Sequence, residues 1–347
     1  MLIGAMDLPH VWQDWDRTQL QQHMDTLAQA GINTFLVESD ADVYDGPIID
    51  SAHQAGLRFF GGLNCYYNPA AIQQRPDLYP IDQTGVHYPV RGWYDAGVIP
   101  TDDAYNAGLV KLASSLVSTY PMDGFLLNFI RWPLFWEYEL RPDTPAPGQT
   151  SFDAHSLNRF QSQTGITLPT DTTLRQQIDW LLTHHAQSWT HFKCDVITST
   201  VRQIVDAIRA VRGAEFPIGL ANVPALPDVL EPILGQRLAD LSPLVDFFLP
   251  MTYHAILHRP YTWIESILDS MRHSTPHKLV PFVLSATQAG DGSAPLPDDE
   301  WQAMLRLILS DADTQGLVFF TASDLLSSGR SRQLKQILAP YLTADDR

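Results

Sequence analysis

Only two cysteines occur in 347 residues, Cys65 and Cys194, with no Cys-x-x-Cys spacing and no Cys/His cluster. That excludes a disulfide framework and a structural zinc site, and it fits a reducing compartment. Basic residues are scarce too. The 22 Lys+Arg stand against 39 Asp+Glu, a net charge of −17, so the surface repels phosphate backbones and anionic lipid, and neither nucleic acid nor a membrane is expected as a partner. No segment is apolar for the ~20 residues a bilayer span needs. The N-terminus, Met1-Leu-Ile-Gly-Ala-Met-Asp7, lacks a basic n-region, so a cytoplasmic location is expected unless a signal peptide has been removed. What is present is 45% hydrophobic and 18% charged residues, the composition of a globular chain with a large core.

Short apolar runs alternate with helical periodicity. A strand from Leu2 to Asp7 precedes a helix from Arg17 to Ala30 that stops at Gly31. A strand from Ile32 to Glu38 precedes a helix from Pro47 to Ala55 that stops at Gly56, and Leu57 to Asn64 is a third strand. A long loop, Cys65 to Pro100, leads to a helix from Asp102 to Thr119 and a fourth strand from Asp123 to Trp132. A Pro- and aromatic-rich excursion, Pro133 to Pro169, then runs into one long helical region from Thr172 to Val211. Later strands are Pro217 to Val223, Val245 to Tyr253, Leu279 to Thr287 and Leu317 to Ala322, with helices at Tyr261 to Met271, Asp299 to Ala312 and Ser331 to Leu342.

About eight βα units in sequence predict an α/β fold, a (β/α)8 TIM barrel. It forms one domain over residues 1–347, with an enlarged fourth unit and an insertion over 133–185. A doubly wound fold is disfavoured, because Asp7-Leu-Pro-His-Val-Trp12 stands where a Gly-rich phosphate loop would follow the first strand. The strands are apolar almost throughout, and their polar residues gather at the C-terminal ends: Asp7, Glu38, Asn64, Asn128, Asn222, Tyr253 and, just past the seventh, Gln288. In a TIM barrel those ends converge on the face that carries the site.

Residues 123–133, Asp-Gly-Phe-Leu-Leu-Asn-Phe-Ile-Arg-Trp-Pro, resemble the "DG(I/F)xxDYxRxP" segment of a set of glycosyl hydrolase-like bacterial TIM-barrel proteins. Ser151-Phe152 with Leu157 to Ile166 is similar to their "SF…CLxxFxxxTGI" stretch, and Val245 to Tyr253 is similar to their "VDxxxPMxY". The resemblance implies a glycoside hydrolase acting on an oligosaccharide or glycoside, without a cofactor. The chain departs from the pattern at Asn128, where those proteins carry Asp, and an amide is neither a carboxylate nucleophile nor a base. Arg131 matches.

Glycoside hydrolysis needs two carboxyl groups across the scissile bond. Asp7, beside Pro9 and two tryptophans, is the candidate acid/base. Glu38, with an acidic loop behind it, or Glu137 is its candidate partner. Glu137 and Glu139 alternate with aromatic residues after Trp132, as at a sugar subsite. Asn64, Asn128 and Asn222 supply the donors and acceptors that hydroxyl recognition requires. Arg131, Trp132, Tyr253, His254 and Gln288 complete the expected substrate contacts, with His254 also able to act as a base. Asp324 follows the eighth strand and equally fits an N-terminal cap for the next helix. His184, His185 and His191 have no metal-binding spacing and read as surface or packing residues, so no metal is expected.

Two other readings stay open beside the hydrolase. One is a catalytically inactive carbohydrate-binding barrel, on the strength of Asn128. The other is a sialidase-like hydrolase of an acidic sugar, with Arg131 on the carboxylate. A lyase or isomerase of a small acid has less support, since no phosphate-gripping glycines or metal-binding carboxylate trio can be recognised. Oligomeric state is not encoded in any recognisable way.

Overall fold

The computed structural model describes residues 1–39, 44, 46–89, 92, 94, 97–276, 278–286 and 296–341. The first half runs β1 (Leu2–Asp7), α1 (Arg17–Ala30), β2 (Thr34–Ser39), α2 (Gly46–Gln54), β3 (Arg58–Asn64), α3 (Pro69–Gln74), α4 (Asp103–Thr119) and β4 (Gly124–Asn128). The enlarged fourth unit holds α5 (Trp136–Glu139), α6 (Ala154–Thr164), α7 (Leu174–His184) and α8 (Ala186–Arg212). Then follow β5 (Ile218–Asn222), α9 (Pro227–Leu230), α10 (Leu238–Leu241), β6 (Phe247–Pro250), α11 (Trp263–Arg272), β7 (Phe282–Leu284), α12 (Asp298–Leu309), β8 (Gly316–Phe320), α13 (Ala322–Ser327) and α14 (Ser331–Leu338).

The eight strands are parallel, in the order β6-β5-β4-β3-β2-β1-β8-β7, and isolated bridges Phe248–Leu279 and Met251–Phe282 complete the ring between β6 and β7. The fold is a (β/α)8 TIM barrel. No helix among the described residues is long and apolar enough to cross a membrane.

Local chemistry accounts for the elements. In α1, Leu20, Met24 and Leu27 fall on one face and are buried. Asp16 and Gln19 form a capping box at its start, and Gly31, at φ 97°, closes its end. Asp102 caps α4 through Tyr105 N (2.7 Å) and takes both Arg75 nitrogens (3.0 and 2.9 Å), which ties the long loop after β3 to the barrel. The single long helix expected from Thr172 to Val211 is two helices, because the chain breaks at His185 (φ −138°) while its N–H still caps Leu181 O. The fourth strand stops at Asn128 rather than Trp132, since Phe129 turns left-handed (φ 49°).

At the N-terminal face one device recurs. Asn33 Oδ1 accepts Ile3 N (3.0 Å), Asp123 Oδ2 accepts Phe59 N (2.8 Å) and Asp246 Oδ2 accepts Ile218 N (2.8 Å). A polar side chain just before β2, β4 and β6 thus latches the start of the preceding strand. Two of these latches, Asp123 and Asp246, lie in the motif segments, where they hold strands together.

The barrel interior alternates large rings with glycine. Phe60 and Phe247 meet across it with ring centres 6.1 Å apart. A Cβ on Gly124 would lie 2.5 Å from the Phe60 ring, and one on Gly219 would lie 2.3 Å from the Phe247 ring. Close packing of this kind leaves no room for a methyl group. Gly219→Ala is therefore expected to cost ~1–3 kcal/mol through overpacking, read as a lower denaturation midpoint with an unchanged slope in urea.

Candidate active site

Contacts fix which strand residues face inward. Glycines at 4, 62 and 124 abut Leu36, Glu38, Leu126 and Phe60, so Leu36 and Glu38 on β2, Phe60 to Asn64 by alternation on β3, and Leu126 and Asn128 on β4 share the interior face. Glu38 is buried at the C-terminal mouth, and the missing side chain at Gly62 leaves room for it: a Cβ there would lie 3.3 Å from Glu38 Cγ. Asn64 and Asn128 stand beside one another in register at the tops of β3 and β4. The Asn128 Oδ1 accepts Phe129 N (2.8 Å), so the left-handed turn sets the direction of its amide.

Tyr253, just past β6, packs its ring against Trp136 of α5 (5.9 Å) and Phe320 of β8 (5.4 Å). Burial raises its phenol far above the usual range, and the charges of Glu38 and then Glu137 push it further. Both carboxylates therefore lie within electrostatic reach of one hydroxyl group. Glu137 itself is half-buried, but its Oε2 is fully covered and makes no hydrogen bond among the described residues. Burial lifts its carboxyl to about 7, against the opposing pull of Arg131 and, less strongly, Arg141. A carboxyl that holds its proton near neutral pH, with a second carboxyl group at the same mouth, is the arrangement for proton donation.

Arg131 is 2% exposed. Its Nη1 donates to Leu134 O (2.8 Å), and its guanidinium lies over the rings of Phe129 (5.2 Å) and Tyr94 (5.7 Å). Behind them Tyr67, Tyr94, Phe129, Phe135 and Tyr138 stack in sequence, Tyr94 on Phe135 within 4° of parallel. Tyr67 and Tyr94 come from the long loop after β3. A loop of this length suits a functional role, and nothing in the sequence singled out these two rings. Glu139 accepts the Tyr88 hydroxyl, which itself accepts Phe135 N (2.9 Å).

Several expected site residues are placed elsewhere. Asp7 has the opposite parity to Met6 and faces the helical layer: its oxygens accept Ser323 N (3.1 Å) and Ser323 Oγ (2.9 Å), with His23 Nε2 of α1 at 3.2 Å. Asn222 likewise turns outward, with Nδ2 on Val223 O (3.1 Å) and near Met271 Sδ (3.7 Å) of α11. His254 meets Glu300 of α12 (3.1 Å), and burial holds its pKa below the ordinary value. Asp324 donates its N–H to the Thr321 hydroxyl in the cap of α13. Trp132 is a core residue rather than a sugar platform: it is wholly buried between Trp189 and Phe192, and its Nε1 donates to Lys193 O (3.1 Å). Gln288 lies outside the described residues.

Among the described residues no three metal-ligating side chains come together, and His184 and His185 pack on Trp180. A groove of about 600 Å³ between residues 76–87 and the α6–α7 region includes Tyr79, His87 and Leu168 in its lining, and does not include the residues of the mouth.

No family model matches the chain, and no curated protein matches it. Solved structures do resemble it. The glycoside hydrolase domain of PgaB (BpsB) from Bordetella bronchiseptica superposes with a TM-score of 0.75 at 13% identity, covering 97% of this chain and 98% of that one. The catalytic domain of β-amylase from Paenibacillus polymyxa gives 0.70 at 11% identity, over 100% and 98% of the two chains. A catalytic mutant of the β-galactosidase Gan42B from G. stearothermophilus gives 0.65 at 12% identity, over 98% and 57%. The similar barrels are glycoside hydrolases. At these identities the likeness is one of fold, and the motif resemblance at β4 rests on its own residues.

Two stability tests follow from the packing around Trp132. Trp132→Ala is expected to cost ~3–5 kcal/mol, the usual loss for a buried tryptophan, measured by equilibrium denaturation. Lys193 is buried, donates to Pro232 O (2.9 Å) and Ile233 O (2.8 Å), and has its pKa brought down by burial to about 7. Between that value and the ordinary 10.5 the unfolded chain binds the extra proton, so the native state gains stability as pH rises through this window. Lys193→Met should flatten that slope.

Proposed function

We propose that the chain is a glycoside hydrolase, with its reaction centre at the C-terminal mouth of the barrel. The observation that carries this is Glu137: a covered, unpaired carboxyl oxygen with its pKa lifted to about 7, sharing Tyr253 with Glu38. In this reading Glu137 gives its proton to the glycosidic oxygen as the bond to the anomeric carbon breaks, and the sugar leaves as the alcohol. Glu38 supplies the second carboxylate, either attacking the anomeric carbon or taking the proton of the attacking water. Tyr253, within electrostatic reach of both, stays a neutral phenol at any physiological pH. Asn64 and Asn128 hydrogen-bond the sugar hydroxyls.

Chemistry on Glu38 and Glu137 does not need a carboxylate at position 128, so the amide of Asn128 is compatible with turnover. Asp7 then has a structural role, bridging α1 and α13. The burial of Arg131 under two rings supports a neutral glycoside over an acidic one, since the guanidinium is not offered to solvent. The likeness in fold to glycoside hydrolase barrels supports the hydrolase reading as a class.

The test is a panel of aryl glycosides and oligosaccharides with wild type, Glu137→Gln and Glu38→Gln. Each substitution is expected to lower kcat by ~10²–10⁴. Wild-type activity should fall as pH rises through about 7, because the acid must enter protonated, and that limb should disappear in Glu137→Gln. Full activity in Glu137→Gln overturns the assignment. Binding of sugar without turnover, with turnover created by Asn128→Asp, would favour an inactive carbohydrate-binding barrel.

A further inference from the structure

Arg131 and Glu137 lie six residues apart on the loop and short helix that follow β4, and each carries one covered polar atom left without a partner. These are a donor, Arg131 Nη2, and an acceptor, Glu137 Oε2. A buried polar atom without a partner is costly, and these two become complementary in charge and in hydrogen-bonding sense once Glu137 is ionised. Their coupling is visible on a third group. The Tyr94 hydroxyl, pushed up to about 12 chiefly by burial, is pulled back by Arg131 and pushed further by Glu137, so all three lie within mutual electrostatic reach.

The guanidinium is not free to leave. Leu134 O takes Nη1, and Phe129 and Tyr94 lie against the guanidinium. A guanidinium set over two aromatic rings is a contact that suits arginine better than lysine.

We propose that Arg131 is a positioning residue for Glu137, a fixed cation whose spare Nη2 receives the carboxylate that forms once Glu137 has given up its proton. This rests on the reading of Glu137 as the acid. Burial alone would hold the proton on Glu137 so tightly that donation left a stranded anion. The neighbouring cation opposes that, and Arg131 does so more strongly than Arg141, the other cation facing this carboxyl. The remaining titratable neighbours, Tyr94 on the loop after β3 and Tyr253 past β6, stay neutral, and Glu38 acts on Tyr253 as well. Arg131 therefore acts through Glu137 and does not touch the sugar.

The experiment uses the full chain labelled at the glutamate carboxyl carbon. The Glu137 signal is assigned by its loss in Glu137→Gln, and its titration is followed by NMR in wild type, Arg131→Lys and Arg131→Gln. Removing the cation is expected to raise the Glu137 midpoint by about one pH unit or more, and to carry the alkaline limb of the pH–rate profile upward with it. Arg131→Lys is expected to keep the midpoint near that of wild type while lowering kcat, with KM little changed, because the charge remains and the stacked fork is lost.

If Arg131→Gln does not fold, wild type alone decides. The Arg131 side-chain nitrogen signals should shift with the same midpoint as the Glu137 carboxyl. An unmoved midpoint in Arg131→Gln, or arginine signals indifferent to that titration, overturns the proposal even if glycosides are hydrolysed. Intact coupling in a protein that hydrolyses no glycoside overturns the hydrolase reading instead, and with it the catalytic purpose given to Arg131.

Discussion

The position of Glu137 at the mouth depends on the burial of Trp132, five residues before it. That indole sits in the helical layer, its ring nitrogen on Lys193 O and the Lys193 ammonium 4.9 Å from its ring, while its backbone N–H bonds Leu234 O. Thr150 Oγ1 donates to the next carbonyl, Pro133 O (2.9 Å). The loop after β4 is thus fixed on its outer side before it returns over the barrel. Arg131 on one side of the peg and Trp136 and Glu137 on the other are then carried to the mouth as a rigid unit, where Trp136 meets Tyr253. Large apolar burial on the outside positions a small polar group on the inside.

The barrel was legible in the sequence because strand and helix periods alternate, and a run of short apolar segments broken by amphipathic ones has few other solutions. Less legible was which face each strand end presents. Ile3 and Ala5 face the helices with Asp7, while Gly4 and Met6 face inward, and apart from Asp7 both sets are apolar. A parallel strand buried on both sides shows no alternation from which parity can be read. Asp7 and Asn222 were placed at strand ends with good reason, yet they point into the helical layer. Glu38 stands out in the structure because its neighbour Gly62 opens a space beside it.

Other features lay below what periodicity can register. The break at His185 occurs inside continuous amphipathic spacing, with no glycine or proline to announce it. Tyr67 and Tyr94 reach the Arg131 cluster from a long loop with no period at all, and only the folded chain brings them to residues more than thirty positions away. Trp132 was expected among the substrate contacts, and its full burial, with the indole bonded to Lys193 O, places it in the core. At 11–13% identity the similar hydrolases share the scaffold, and the argument about chemistry rests on Glu137, Glu38 and Tyr253 themselves.

The latches at Asn33, Asp123 and Asp246 join β1 to β2, β3 to β4 and β5 to β6, each binding a strand to its neighbour in sequence. Between β6 and β7 the ladder is reduced to isolated bridges, and β7 is three residues long. The cylinder therefore has a seam. Next to Tyr253 that seam is closed by Thr252, whose N–H and hydroxyl both donate to Phe282 O, so backbone amides along it are expected to exchange with solvent sooner than those in the continuous ladders of the latched pairs.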